Sequence, residues 1–146
     1  MITAEEVLET LEMIEELHLD IRTVTLSVQL YDCGSESVEK TVSRTVEKLL
    51  RAAEHLVPVV DAVSGDLGIP IVNKRISVSP VSRLMAPTRA DSFLPMALAL
   101  DKVAKELGVD FLGGYSAPVH KGMCESDRVL INGLPEALSA TERICS

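Results

Sequence analysis

Aromatic residues are scarce in this 146-residue sequence, which has no tryptophan, two phenylalanines and two tyrosines. Its core must therefore be aliphatic, and it offers almost no side chains on which nucleic-acid bases could stack. Positive charge is also in short supply, because 14 Lys and Arg stand against 22 Asp and Glu and leave a net charge of −8. Nucleic acids and anionic membrane surfaces both require clustered cations. The composition argues against both kinds of partner.

The negative charge is concentrated at the start of the chain. Seven acidic residues precede the first basic residue, Arg22, and without them the net charge would be −1. They lie in residues 4–18 and in the link that follows. Residues 4–18 also carry an apolar stripe at helical spacing, and this pattern predicts an amphipathic helix over them. The acidity is therefore interpreted as the solvated face of this helix, not as a surface that steers a substrate.

Only three cysteines occur, Cys33, Cys124 and Cys145, with no CxxC pair and no histidine at ligand spacing. The sequence thus predicts neither a disulfide framework nor a metal site. No apolar run approaches the roughly 20 residues that span a membrane, and the acidic start does not resemble a signal peptide. The length suits one domain over residues 1–146. We expect a cytoplasmic protein with free thiols.

Three segments are predicted to be β-strands, residues 21–31, 69–80 and 109–117, and the first two alternate with the two-residue period of a strand. In the central one, Val72, Ile76 and Val78 share one face, whereas Arg75 and its small polar neighbours share the other. Residues 21–31 divide in the same way. A strand between two helical layers is apolar on both faces. We therefore expect the aliphatic face to lie under helices and the polar face to line a wet cleft, a barrel interior or a partner surface.

Helical segments separate the predicted strands. Residues 38–67 form one helical region that Pro58 kinks or divides, and a further helix starts near Asp91 and ends at Gly108. Short helices are predicted over 126–132 and 136–140, residues 79–90 are predicted to be a loop with room for one short turn, and the chain ends on the start of a fourth strand. This order indicates right-handed crossovers, and hence an α/β fold with a parallel sheet and crossover helices.

Ligands of parallel α/β sheets bind beyond the carboxyl ends of the strands. That rule selects the polar residues that follow each strand, including Arg83. The polar face of the central strand adds two more candidates, Asn73 and Arg75. Together they offer a carboxylate, a thiol, hydroxyls, an imidazole and cations, which suits a small polar or anionic metabolite. The candidate ligand-binding residues are Asp32, Cys33, Asn73, Arg75, Ser77, Ser79, Ser116, His120 and Lys121.

Each candidate also has a purely structural interpretation. Asp32 suits a turn or a helix cap, and Cys33 suits a small buried apolar site. His120 and Lys121 suit a solvated loop. Arg75 suits a structural ion pair, because a buried guanidinium requires a partner. The sequence contains no Walker loop, GxGxxG, HExxH or GxSxG signature, so it assigns no catalytic residue, cofactor or reaction.

Four stretches together resemble a known family. They read DIRTVT from Asp20, NKRISVSP from Asn73, DFLGGYSA from Asp110 and LPEALSATERICS from Leu134. The resemblance is to the domain of unknown function 711 family, also called uncharacterised protein family 0210. It implies a fold similar to the pyruvate formate-lyase-like barrels, in which two sets of parallel strands close into one α/β barrel. The family carries no established activity, so the resemblance transfers no catalytic residue. Its members are considerably longer, and the chain is similar to their amino-terminal portion.

Three functional hypotheses follow. The first is an α/β protein that binds a small polar metabolite at the carboxyl edge of its sheet. The second is an assembly or regulatory module whose polar sheet face packs on another chain. The third is a thiol enzyme that uses Cys33 or Cys124. We also expect a homo-oligomer, because an uncovered sheet face and a terminal strand edge need shielding.

Overall fold

Four parallel strands form one sheet in which strand order follows chain order. The computed structural model describes residues 3–16 and 20–146, and its strands are β1 (Ile21–Val28), β2 (Ile71–Val78), β3 (Phe111–Gly113) and β4 (Ile144–Cys145). Each pairs in parallel with the next, with Thr25 opposite Arg75, Arg75 opposite Phe111, and Gly113 opposite Cys145. The predicted α/β class with a parallel sheet is confirmed, and so is the strand at the end of the chain. The four strands of the described residues do not close into a barrel.

The helices of the described residues connect or flank these strands. They are α1 (Ala4–Glu15), α2 (Val38–Ala53), α3 (Leu56–Leu67), α4 (Val81–Met85), α5 (Leu94–Leu107) and α6 (Glu125–Ser139). The helical region over 38–67 divides just before Pro58, as predicted. Gly68 and Gly108 end α3 and α5 in the left-handed conformation. The end of the helix predicted over 4–18 lies partly outside the described residues, since residues 17–19 are not among them.

Two segments contain more continuous helix than predicted, in both cases because the helix buries apolar side chains. Residues 79–90, predicted as a loop with room for one short turn, contain more helix than that, because α4 and a 3-10 turn (Ala86–Thr88) follow Pro80 and bury Leu84 and Met85. The two short helices expected after Ser126 are one helix, α6, which contains Pro135. An internal proline costs a helix about 3 kcal/mol. Burial of Leu130 and Ala137 on either side of Pro135 offsets that cost.

The sheet has one covered face and one open face. Val28, Ile76, Val78 and Leu112 are buried under the helices. They join an aliphatic core in which α5 contributes Met96, Ala97, Leu100, Val103 and Ala104. Val72 departs from the prediction, since it lies near the amino end of β2 and the residue is 47% exposed. Helix α3 meets this face at Lys74, whose Nζ lies 2.9 Å from an Asp61 carboxylate oxygen.

A buried carboxylate fastens β4 to the helical layer. Asp101 of α5 accepts hydrogen bonds from the backbone N–H groups of Glu142 and Arg143, at 2.9 and 2.8 Å, and pairs with Lys105 at 2.9 Å. Arg143 in turn donates to the carbonyl oxygens of Val109 and Ala104. These bonds orient the residues that lead into Ile144, which is buried against β3. The last strand of the sheet therefore depends on one side chain of α5.

Replacing Asp101 should loosen β4. Asp101→Ala leaves two amides without their acceptor and should lower the free energy of unfolding by about 2 kcal/mol, since each unsatisfied buried group costs about 1–3 kcal/mol. Urea denaturation measures this loss. Glu106→Ala, an exposed position on the same helix, is the control and should change stability by less than about 0.5 kcal/mol. Equal stability of the two variants would contradict the fastening role.

Candidate functional site

The candidate site lies on the open face of the sheet. This face carries the side chains that point away from the helices, and we use the name open face for these positions: Ile21, Thr23, Thr25, Ser27, Ile71, Asn73, Arg75, Ser77, Phe111, Gly113 and Cys145. Alternation along each strand and the parallel register place them on one side. Small polar side chains predominate, as the sequence predicts. Thr25, Ser27 and Arg75 are exposed.

Arg75 occupies the middle of the open face. Its guanidinium carbon lies 5.1 Å from the centroid of the Phe111 ring on the neighbouring strand, which is cation–π geometry. Among residues 3–16 and 20–146, no carboxylate lies within ion-pair distance of this guanidinium. The structural ion pair predicted for Arg75 is therefore wrong for the described chain. Because the side chain is exposed, it needs no such partner.

A row of small residues crosses the sheet beside Arg75. Ser27 pairs with Ser77, Ser77 with Gly113, and Gly113 with Cys145, so one position on each strand contributes to the row. A Cβ atom added at Gly113 would meet nothing within 4 Å. On the other side of Arg75, Asn73 donates from Nδ2 to the carbonyl oxygen of Arg22 at 3.0 Å. The open face thus has a shallow floor of hydroxyl, glycine and thiol groups next to one cation.

The two candidates after β1 are engaged elsewhere. Asp32 lies in a 3-10 turn (Tyr31–Cys33), and one of its carboxylate oxygens is 2.6 Å from Lys48 Nζ of α2. This hydrogen bond lowers the pKa of Asp32. The Cys33 side chain is 4% exposed and joins the core, where burial and then the neighbouring Asp32 charge raise the pKa of its thiol. Cys33 is therefore a small buried apolar residue, and Asp32 ties the turn to α2.

The candidates after β2 and β3 build the carboxyl edge of the sheet. The Ser79 hydroxyl accepts a hydrogen bond from the Leu30 N–H at 3.1 Å, which joins the ends of β1 and β2. The Ser116 carbonyl accepts from the Ser82 N–H at 3.3 Å and joins the β2 and β3 ends. His120 and Lys121 are exposed in the following loop. Of the nine candidates, the structure brings Asn73, Arg75 and Ser77 together on the open face and places the other six around its margin or in the core.

A second polar cluster lies at the start of α6. Cys124 precedes the helix, and both its backbone N–H and its Sγ donate to the Asp127 carboxylate, at 3.0 and 2.9 Å. Arg83 of α4 lies 3.4 Å from the same carboxylate oxygen, and its Nη1 also donates to Cys124 Sγ at 3.4 Å. The Asp127 side chain is fully buried. The thiol hydrogen bond, followed by the backbone one, lowers the pKa of Asp127 to about 2.

Sequence reasoning missed two partners in these clusters. Asp127 could have been found from its position three residues after Cys124, since that is the spacing of a capping box, but the helix was expected to begin at Ser126. Phe111 lies in a predicted strand, yet its position beside Arg75 depends on the register between β2 and β3. One sequence carries no signal for that register. Asp127 was therefore missed as a residue, whereas Phe111 was missed only as a partner of Arg75.

Residues 3–16 and 20–146 contain no cluster of three or more His, Cys, Asp and Glu side chains that could hold a metal ion. Within the same ranges, every helix is too short or too polar to cross a membrane. Cys33, Cys124 and Cys145 are all free thiols.

Comparison with known proteins extends the sequence resemblance. A UPF0210 protein of Oleidesulfovibrio alaskensis is 50% identical over all 146 residues, and one of Desulfovibrio desulfuricans is 51% identical over the same span. A UPF0210 protein of Streptococcus uberis is 48% identical over 141 residues, or 97% of the chain. In each comparison the chain covers 32% of the relative's length. The chain spans about a third of the curated relatives that it matches.

The family assignment rests on most of the chain. The sequence profile of the uncharacterised DUF711 family matches residues 12–146, which include every strand of the sheet and every residue of the open face. The four stretches that carry the resemblance all lie within this range. The chain belongs to the DUF711 family.

Proposed function

We propose that the open face binds a small anionic metabolite and that Arg75 anchors it. The observation that carries this proposal is the exposed guanidinium of Arg75, held against the Phe111 ring with no carboxylate partner in the described chain. Planar guanidinium groups bind carboxylates and phosphates through paired hydrogen bonds. The contact with the Phe111 ring restrains the guanidinium, while the side chain stays exposed to an anion. Arg75 is therefore suited to hold a carboxylate or a phosphate above the sheet.

The surroundings of Arg75 support a small ligand. Ser27, Ser77 and Gly113 leave room above the sheet on the side toward the carboxyl ends of the strands. The hydroxyls of the two serines can donate to, or accept from, polar groups of a bound molecule. Lys121 adds exposed positive charge beyond that edge, whereas the charge of Arg83 is paired with Asp127. A compact anion on Arg75 would lie between these groups and the Phe111 ring.

We also propose a finer architecture and location. Consecutive parallel strands with crossovers on one side support a partial barrel similar to the pyruvate formate-lyase-like fold, with the open face as part of its interior. A metabolite on Arg75 would then lie inside the complete barrel. Three free thiols support a reducing, cytoplasmic environment.

Substitution of Arg75 separates binding from folding. Arg75→Met should weaken the binding of inorganic phosphate or a small dicarboxylate such as succinate by roughly 10- to 100-fold, because it removes hydrogen bonds from a charged group worth about 1.5–3 kcal/mol. The free energy of unfolding should fall by no more than about 1 kcal/mol, the value of an exposed cation–π contact. Isothermal titration calorimetry gives the first quantity and urea denaturation the second.

The matched control is Arg51→Met on α2. Arg51 is exposed and lies on the helical layer, away from the open face, so this variant removes the same charge without touching the proposed site. It should bind the anions as the unaltered chain does. Equal affinities of the Arg75→Met and Arg51→Met variants, or no measurable binding of either anion by the unaltered chain, would overturn the proposal.

A further inference from the structure

Helix α1 is amphipathic, yet its apolar stripe is left uncovered by the described part of the chain. Val7, Leu8 and Leu11 of this stripe are exposed. None of the twelve residues of α1 is buried. A helix of that length is marginal in water, and helices of globular proteins gain most of their stability by packing an apolar face. The stripe of α1 therefore offers apolar contact area to a further partner.

The stripe lines a cleft between α1 and the end of α3, which we call the α1–α3 cleft. The cleft has a volume of about 690 Å³, and its apolar lining comes from Val7, Leu11, Ile14 and Leu67. Residues three and four positions apart lie on one face of a helix. At 1.5 Å per residue, residues 7–14 extend about 10 Å along α1. The cleft is thus about two helical turns long.

The apolar surface continues along α3 beyond the cleft. Val59, Val63 and Leu67 follow one another at intervals of four residues, and all three are exposed. Rows of side chains at this interval are the ridges and grooves through which helices pack on one another. Two such rows on neighbouring helices suit a third helix laid along them better than they suit a compact molecule.

The charges around the cleft have one sign. Helices α1 and α3 contain acidic residues but neither a lysine nor an arginine. The acidic residues are Glu5, Glu6, Glu9, Glu12, Glu15, Asp61 and Asp66. Glu6 and Asp66 line the cleft itself, and within residues 3–16 and 20–146 neither carboxylate has an ion-pair partner. The rim of the cleft therefore complements a cationic surface and repels an anionic one.

We propose that the α1–α3 cleft binds an amphipathic helix of a partner protein, with the partner's apolar face on Leu11 and Leu67 and its basic residues near Glu6 and Asp66. A second copy of the chain supplies only the apolar face, because its own α1 carries acidic residues and no basic ones. The homo-oligomer expected from the sequence is the competing outcome of the same test. Anion binding at Arg75 is independent of this cleft, since Arg75 lies on the open face of the sheet.

A synthetic peptide of leucine and lysine in a two-heptad amphipathic pattern is the probe. Labelled with a fluorophore, it should bind the chain at low ionic strength and more weakly as salt is added, as measured by fluorescence anisotropy. Leu11→Gln should weaken binding roughly 10-fold, because it removes an apolar contact and keeps a good helix former. Leu98→Gln on α5 is the matched control, since Leu11 and Leu98 are both 46% exposed, and it should leave the affinity unchanged within about twofold.

The charge of the rim is tested with a second pair of variants. Asp66→Asn should weaken binding of the same peptide about threefold at low ionic strength, the range of a surface ion pair. Asp91→Asn, at an exposed position that does not line the cleft, should have no such effect. A peptide with glutamate in place of every lysine should not bind.

Three controls can refute the proposal. No measurable binding of the leucine–lysine peptide, or equal affinities of Leu11→Gln and Leu98→Gln, would show that the cleft does not receive such a helix. Equally tight binding by a peptide of the same composition without an apolar face would show that net charge alone attracts it. Self-association that Leu11→Gln abolishes, seen by size-exclusion chromatography with light scattering and without peptide binding, would give the cleft to a second copy.

Discussion

Gly114→Ala should destabilise the chain by roughly 3 kcal/mol or more. Gly114 follows β3 with φ of 112°, a backbone conformation that other L-residues rarely adopt. A Cβ atom there would overlap the carbonyl oxygen and side chain of Val78 at the end of β2. Strained backbone costs about 1–3 kcal/mol and overpacking costs a further 1–3 kcal/mol. Urea denaturation followed by far-ultraviolet circular dichroism measures the loss.

A second glycine provides the control for this substitution. Gly133 lies inside α6, and an added Cβ would meet nothing within 4 Å. Gly133→Ala should therefore raise stability by about 0.5–1 kcal/mol, because alanine favours a helix over glycine. The two changes add the same methyl group with opposite expected signs. If Gly114→Ala were neutral, the Gly114–Val78 approach could not be as close as the structure has it.

Asp127→Ala should have the next largest effect, a loss of about 3 kcal/mol. The substitution removes the acceptor of the Cys124 N–H and thiol and leaves Arg83 without its carboxylate partner. Removing one member of a buried charged pair costs about 3–5 kcal/mol, and the lower value applies because Arg83 is partly exposed. Asp91→Ala, at an exposed site, should be nearly neutral. Denaturation at pH 7 compares the two variants.

The same carboxylate should make part of the stability dependent on pH. The folded pKa of Asp127 is about 2, whereas an unfolded aspartate has a pKa of about 4. The unfolded chain therefore binds the extra proton first, so the contribution of Asp127 is fully present above pH 4 and is lost as the pH falls toward 2. The difference in stability between the unaltered chain and Asp127→Ala should shrink over that window. A difference that stays constant from pH 5 to pH 2 would contradict this assignment.

The strands were predictable because the alternation of apolar and polar residues, with a period of two, can be recognised in a single sequence. Val28 and Ile76 on one face, with Thr25 and Arg75 on the other, can be recognised from the order of residues alone. Val72 could not be placed, since whether a helix reaches the amino end of β2 depends on tertiary packing. Burial also outweighs local preference in α6. Pro135 lies inside one continuous helix, whereas the sequence predicts two short helices.

The positions of the polar side chains on the sheet were predictable from the sequence, but their partners were not. The carboxyl-edge rule groups Asp32 with Ser116, yet the chain turns Asp32 toward Lys48 of α2 and uses Ser116 to join two strand ends. The sequence marks Arg75 as anomalous within a strand. The partner of Arg75 is Phe111, and the register between β2 and β3 places that ring beside the guanidinium. A pairing between strands 36 positions apart along the chain leaves no local pattern from which to predict it.

The strand order carries a consequence for how the chain folds. In β1-β2-β3-β4 every strand pairs with the one before it, so no strand must wait for a later segment to be inserted between itself and its neighbour. Residues 21–78 can form a β-α-α-β unit first, and each later crossover can add its strand to an existing edge. Domains commonly fold from the amino terminus while synthesis proceeds at about 5–20 residues per second. The strands of this sheet can therefore pair in the order in which the ribosome synthesises them.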